Sequence, residues 1–366
     1  MTPARVAPRE VSSRADLCSL EERDLPALAH FIASQSGRDR DAVEAHLRWF
    51  LLENPVVRLA QVPLGFGLRS GGKLVGCILC VPQEFAFQQE KIIFVGSSSF
   101  YVDESHRGQG GRIFLHYSRL AREWPLFGTS ANAEAARLWQ AVGATSIADS
   151  DCELFGVLRW PRVLEEVVHR KSRHPRLTKL AGSRIIERVA GRLRQLNLER
   201  IDGGTLRRIE SPEEIKELPI YTAPDKLTCF RSTAYLRWRY FSPRDTTTAL
   251  FAFRSGPSAH ETLVAVNERM RGYRGQIRTL NVLDVCREAS SDEWIRITGS
   301  LAERYCDAVD AIVVRGVSAQ TQKALCDRGF QRRQFDAPIG WYFDKSKRLP
   351  AQDRCYFVPA DGDGLI

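Results

Sequence analysis

The sequence predicts an α/β protein built from two copies of one fold, each half a mixed, largely antiparallel sheet flanked by helices. Three observations carry that expectation. A chain of 366 residues is longer than one ordinary core serves and suits two. Helical and strand periodicities then follow one another in the same order twice. Finally, one unit recurs: strand Leu126 to Ala131, Asn132, a helix closing at Gly143, then strand Ala311 to Val317, Ser318 and a helix closing at Gly329, with polar residue and glycine eleven positions apart both times. The expected boundaries are an extension over 1–19, a first half over 20–160, a basic connector over 161–212 and a second half over 213–366.

In chain order, Leu25, Leu28, Ala29 and Ile32 predict one helix, and Val43, Leu47, Phe50 and Leu51 a second, with Asp41 placed to cap it and Pro55 beyond its end. Alternation then shifts to a strand period over Gly65 to Arg69, Lys73 to Phe85 and Ile92 to Val102, the first two joined by the turn Ser70-Gly71-Gly72. A glycine-rich turn follows, His106 to Arg112, and then helical spacing at Ile113, Phe114, Tyr117, Leu120 and Ala121. The second half repeats the outline with a helical stretch through Tyr235 to Tyr240 and strands at Thr248 to Phe253, Leu263 to Arg269 and Ile277 to Val285. Helices over Asp292 to Ala308 and Ala319 to Arg328 complete it.

Composition narrows the functional classes. Hydrophobic residues at 43% and charged residues at 27% fit a folded globular chain. Residues Met1 to Leu20 contain no apolar signal core and no run is long enough to span a membrane, so a cytoplasmic protein is expected. Nine scattered cysteines fit a reducing compartment better than a disulfide framework. Cys77 and Cys80 form a C-x-x-C, but on a strand residues three apart face opposite ways, so a buried pair is expected and no metal site. The formal charge of +9 equals the excess of fourteen basic over five acidic residues in 159–209 alone. Such confinement points to a docked connector; the same amphipathic pattern would also suit contact with an anionic membrane surface through 161–212, and no nucleic-acid partner is expected.

The segment Phe100 to Leu115 carries the chemistry. A strand delivers the chain into Arg107-Gly108-Gln109-Gly110-Gly111-Arg112 and a helix begins at once. Glycines at the positive end of a helix let backbone N–H groups approach an anion such as a pyrophosphate. The Lys-Ser/Thr pair of a P-loop is missing and no βαβ unit surrounds the loop, which excludes both common nucleotide fingerprints. Arg107-Gly-Gln-Gly110 after Val102 resembles the R/Q-x-x-G-x-G/A signature of the GNAT N-acetyltransferase superfamily, and Asn132, Trp139 and Gly143-Ala144 resemble its second signature. The resemblance covers about residues 20–160 and implies tandem GNAT-like domains, of which only the first keeps the loop, since Cys286 to Glu293 contains no glycine.

What the resemblance implies is an N-acyltransferase taking acetyl-CoA or another acyl-CoA as co-substrate and a small-molecule or protein amine as acceptor. Phe100, Tyr101 and Val102 would hold the pantetheine arm, and Arg107, Gly108, Gln109, Gly110, Gly111, Arg112 and Asn132 the remaining cofactor contacts. Trp139 stands where the family commonly has a tyrosine acid, and an indole is only a donor. Glu84 and Ser98 are the placeholders for acid–base work on the strands. Tyr235, Trp238 and Arg239 are candidates for an acceptor cleft, with a core stripe as the plainer alternative. Two other functions stay open: a non-catalytic relative that binds a partner, and an aminoacyl-tRNA-dependent transferase of the Fem type.

Overall fold

The computed structural model of the protein describes residues 14–171, 204–217, 225–241, 247–256, 260–272, 276–345, 349 and 355–359. The order is β1 (Asp16–Leu20), α1 (Leu25–Ser36), α2 (Arg40–Leu47), α3 (Val57–Ala60), β2 (Gly65–Ser70), β3 (Lys73–Phe87), β4 (Glu90–Val102), α4 (Gly110–Ser118), β5 (Leu126–Gly128), α5 (Ala133–Ala141), β6 (Thr145–Ser146), β7 (Cys152–Val157) and α6 (Trp160–Lys171). Then come β8 (Thr205–Arg208), β9 (Leu227–Cys229), α7 (Thr233–Tyr240), β10 (Thr248–Arg254), β11 (Thr262–Arg271), β12 (Ile277–Val285), α8 (Ser291–Tyr305), β13 (Ala311–Val314), α9 (Ala319–Asp327), β14 (Gln331–Gln334), β15 (Trp341–Phe343) and β16 (Cys355–Tyr356). Most of the basic connector, residues 172–203, lies outside the described residues.

Two mixed sheets result. The first runs β1-β2-β3-β4-β5-β15-β6, with β9 added to β3 and β16 to β9; the second runs β14-β7-β13-β12-β11-β10-β8. In each, a parallel pair at the centre, β4 with β5 and β12 with β13, sits among antiparallel neighbours; β16 also runs parallel to β9. The halves exchange a strand. β7 lies between β13 and β14 of the second sheet, while β15 lies between β5 and β6 of the first. Neither 20–160 nor 213–366 therefore closes a sheet with its own strands, and the first sheet also begins earlier than expected, at Asp16.

Side-chain alternation on β3 sends Cys77, Leu79 and Val81 to one core and Ile78 and Cys80 to another. The two cysteines thus face opposite ways, and burial pushes the Cys77 thiol up to about 12. One core is roofed by α4 and α5; the other receives α1 and α2 together with residues of α7, β10 and β11, and so joins the halves. At that junction the Trp49 indole donates to the Trp238 carbonyl at 2.9 Å and the Trp238 indole to the Trp49 carbonyl at 3.0 Å. Beside it, Arg231 donates to both oxygens of Asp284 at 3.0 and 2.8 Å, and the Tyr240 hydroxyl donates to Asp284 at 2.7 Å. A fully buried charge pair of this kind is tolerated because each carboxylate oxygen has a donor. The expected cap of α2, Asp41, is instead in its first turn, and Asp39 accepts from Ala42 N at 2.8 Å.

Candidate acyl-transfer site

The site is built on an irregularity in β4. Against β3, Cys77 faces Tyr101 and Leu79 faces Ser98, so β4 carries an extra residue, and Ser99 takes a left-handed backbone with φ of 47°. A β-branched or bulky residue would be strained there, and a bulge of this kind re-aims the strand. The ladder of β4 with β5 has only two rungs, Val95 with Leu126 and Gly96 with Phe127. Beyond Gly96 the parallel strands diverge, and a cavity of about 210 Å³ opens between them. Ser97, Ser98, Ser99, Phe100 and Tyr101 form one wall, and Gly128, Asn132 and Trp139 are among the residues of the other.

Volume matching makes the gap. Gly128 leaves room for Trp139, since a Cβ at 128 would lie 3.2 Å from the indole. Trp139 is buried and meets Phe114 and Tyr117 edge-on, with centroids 5.2 and 6.0 Å apart. The Tyr117 hydroxyl donates to Val95 O at 2.7 Å, burial raises its pKa well above the ordinary phenol value, and the residue does not belong to the cavity lining. Asn132 lines the cavity and also caps α5, its Oδ1 accepting from Ala135 N at 2.8 Å.

Of the two placeholders, Ser98 lines the cavity and Glu84 does not. Glu84 faces Ile93, six residues along β4 from Ser99 or about 20 Å, and its carboxylate pairs with Lys91 at 3.1 Å. Phe100 and Tyr101 line the gap, whereas Val102 pairs with Gly76 and packs beside Gly110. Among the described residues, no carboxylate or imidazole lines this cavity.

After Val102 the loop is helical rather than a left-handed glycine turn. Residues Glu104–Gln109 form a 3₁₀ turn that runs directly into α4, and Gly108, Gly110 and Gly111 all have negative φ. Ser105 donates its hydroxyl and N–H to Asp103 at 2.6 and 3.0 Å, which starts the turn and holds that carboxyl below the usual range. The glycines matter for space: a Cβ at Gly108 or Gly111 would meet nothing within 4 Å, so both look outward onto open volume at the start of α4. Arg107 is exposed beside them. Gln109 and Arg112 are turned to another task, with Arg112 donating to Gln109 Oε1 at 2.6 Å and to Ala15 O at 3.0 Å, and Gln109 Oε1 accepting from Ala15 N at 3.1 Å. They clasp the start of β1, a long-range contact with no signature in the local sequence.

On the other side of the β4 bulge a second cavity, also about 210 Å³, lies between the halves and is bounded by Ser99, Tyr101 and Ser130 from the first and by β11, β12 and the end of β13 from the second. Tyr235, Trp238 and Arg239 line neither cavity; they are buried to 2, 7 and 1% exposure in the junction between the halves, so the core stripe prevails over the acceptor cleft. Sequence reasoning missed the residues that do face this space, Arg269, Arg271 and Arg315, because they are brought together from strands far apart in the chain.

No family model matches the chain, and no curated protein does either. Solved structures do. A conserved protein of unknown function from Enterococcus faecalis V583, described as a probable N-acyltransferase, matches with a TM-score of 0.52 and 11% identity over 90% of this chain and 71% of its own. The N-myristoyltransferase of Saccharomyces cerevisiae with bound myristoyl-CoA matches with 0.52 and 13% over 90 and 82%. A putative acetyltransferase from Pyrococcus horikoshii matches with 0.50 and 10% over 94% of each chain. At such identities the likeness is one of fold alone: this chain shares with those structures an arrangement of mixed sheets flanked by helices.

Proposed function

We propose that the chain is an acyl-CoA-dependent N-acyltransferase of two tandem GNAT-like halves, with the acyl-CoA held by the first half and an amine acceptor entering from the cavity between them. The observation that carries this reading is the gap where β4 and β5 part, opening beside a helix whose first residues are glycines with free space outside them. The residues fit the co-substrate: the first N–H groups of α4 and the exposed Arg107 suit a pyrophosphate, and the apolar faces of Phe100, Phe114 and Trp139 suit a pantetheine arm.

The co-substrate supplies a thioester. The edge of β4 beyond Gly96 presents main-chain groups to its carbonyl oxygen and takes up negative charge as the amine nitrogen adds and the carbon–sulfur bond breaks. With no lining carboxylate or imidazole among the described residues, the reading has the amine arrive neutral, its surplus proton leave to water, and the thiolate take a proton from water or a neighbouring hydroxyl. The test is calorimetry with acetyl-CoA followed by thiol release over a set of amines. Micromolar binding with release is expected, and kcat/KM should rise with pH toward the pKa of the amine itself with no enzymic step near 6–7. Binding without release for every amine would instead support the non-catalytic reading, which the indole at 139 favours.

A further inference from the structure

The cavity between the halves has a chemical character of its own. Arg269, Arg271 and Arg315 all line it, and among the described residues no carboxylate does. The nearest counter-charge is Glu153, buried at the back, which takes Arg271 at 3.0 Å and Arg315 at 2.6 Å. Glu153 also takes Arg333 at 3.5 Å, so one acid answers three guanidiniums and positive charge is left over. Low surrounding dielectric strengthens its field. The arginines are also fixed, since Arg271 donates to Asn281 Oδ1 at 2.8 Å and Arg315 stacks over Phe335 at 5.4 Å. Guanidiniums so held present their remaining N–H groups as a planar fork, the geometry that suits carboxylates and phosphates. A further polar group waits there: Thr129, which lines the same cavity, has its Oγ1 buried with no hydrogen-bond partner. An orphaned hydroxyl in a folded protein costs stability unless a ligand or water engages it.

We propose that this cavity selects an acceptor carrying an anionic group, a carboxylate or a phosphate, close to its amine. The inference rests on the acyltransferase reading and narrows it. The arginines lie on the second-half side, and Ser99 and Tyr101 are shared with the acyl gap, so an anion seated on the arginines points the rest of a small molecule at the β4 bulge. The half that lacks the glycine loop thereby supplies the specificity.

The experiment uses the full chain with acetyl-CoA and matched probes: amino acids against their amides, and O-phosphoethanolamine against ethanolamine, each pair at equal concentration of neutral amine. The anionic member should be preferred in kcat/KM by roughly tenfold or more, and Arg315→Gln or Arg269→Gln should shrink that ratio toward one while acetyl-CoA binding by calorimetry stays as in the wild type. Which pair gives the larger ratio distinguishes carboxylate from phosphate. Equal or better turnover of the neutral members, or a ratio untouched in both folded variants, overturns the proposal. Turnover of none of the probes while acetyl-CoA binds also overturns it and leaves the acyl-CoA reading standing; failure to bind acetyl-CoA at all fells the reading beneath it.

Discussion

The starts of α4 and α8 occupy corresponding places in the two halves, each following the strand that forms the central parallel pair, yet they have opposite contents. At α4 the first turn has no acidic residue and begins with two glycines. At α8 the first turn carries Asp292 and Glu293, Ser290 caps Glu293 N at 3.2 Å, and the Glu293 carboxylate is held by Arg287 and by the Thr262 hydroxyl. The second half has thus met the positive end of its helix with its own carboxylate. A helix terminus that satisfies itself has no use for a ligand's phosphate. On the proposed reading the same scaffold binds in one half and packs in the other, and the difference lies in a few side chains rather than in the fold.

The comparison holds only while the halves are one object, and the strand exchange makes them so. The largest expected effect therefore comes from ending the chain after Asp336. This removes β15, leaving β5 and β6 without the strand that joins them, and β16 with it. Loss of cooperative thermal unfolding and of acetyl-CoA binding is expected, although every residue of the α4 loop remains. A truncated chain that melted in one transition near the wild-type temperature would mean that the first half stands alone.

Next in size is a substitution that copies the second half into the first. In Gly111→Asp the new side chain enters open space at the second residue of α4, in ordinary helical backbone, so the fold has no reason to object. An acid there favours the helix by about 0.3–1 kcal/mol. It also puts negative charge where a pyrophosphate would lie. The expected outcome in calorimetry is acetyl-CoA affinity lower by at least about tenfold, or 1.4 kcal/mol, with a melting temperature equal to or slightly above the wild type. Unchanged affinity would move the phosphate site away from α4.

Much of this was legible in the chain itself. The alternation in β2, β3, β4, β10, β11 and β12 marks each strand to within a few residues, and Asn132 with Gly143 and Ser318 with Gly329 recur as N-caps and left-handed C-terminal glycines, with φ of 81° and 99° at the glycines. These are local signals, set by period and backbone freedom. What could not be read is non-local. β7 and β15 are short and buried, and nothing in Cys152–Val157 or Trp341–Phe343 says which sheet each joins. The roles of Gln109 and Arg112 depend on Ala15, about ninety residues away. The arginines of the second cavity lie on two strands and a strand end. Trp139 reads from the sequence as a missing acid; its shape role appears only beside Gly128, and the corresponding positions of the second half hold Val314 and Leu325, both within that half's core.

The smallest effect concerns the exchanged strand itself. Glu153 sits on β7, contributed by the first half, and its partners Arg271, Arg315 and Arg333 belong to the second. Burial alone would push its carboxyl up, but the guanidiniums of Arg315 and Arg271 outweigh that and hold it below the ordinary carboxylate range. A carboxylate whose pKa is lower in the folded than in the unfolded chain stabilises fully above the unfolded value, near 4.3, and the contribution drains away as pH falls through the folded value. Urea midpoints for wild type and Glu153→Gln should therefore differ most at pH 6–7 and converge below about pH 4. The gap should be modest, because Arg271 and Arg315 keep side-chain exposures of 24 and 31% and water screens part of the attraction. A difference that stayed constant from pH 7 to 3 would show that Glu153 holds the two halves by shape and neutral hydrogen bonding, with no part played by its charge.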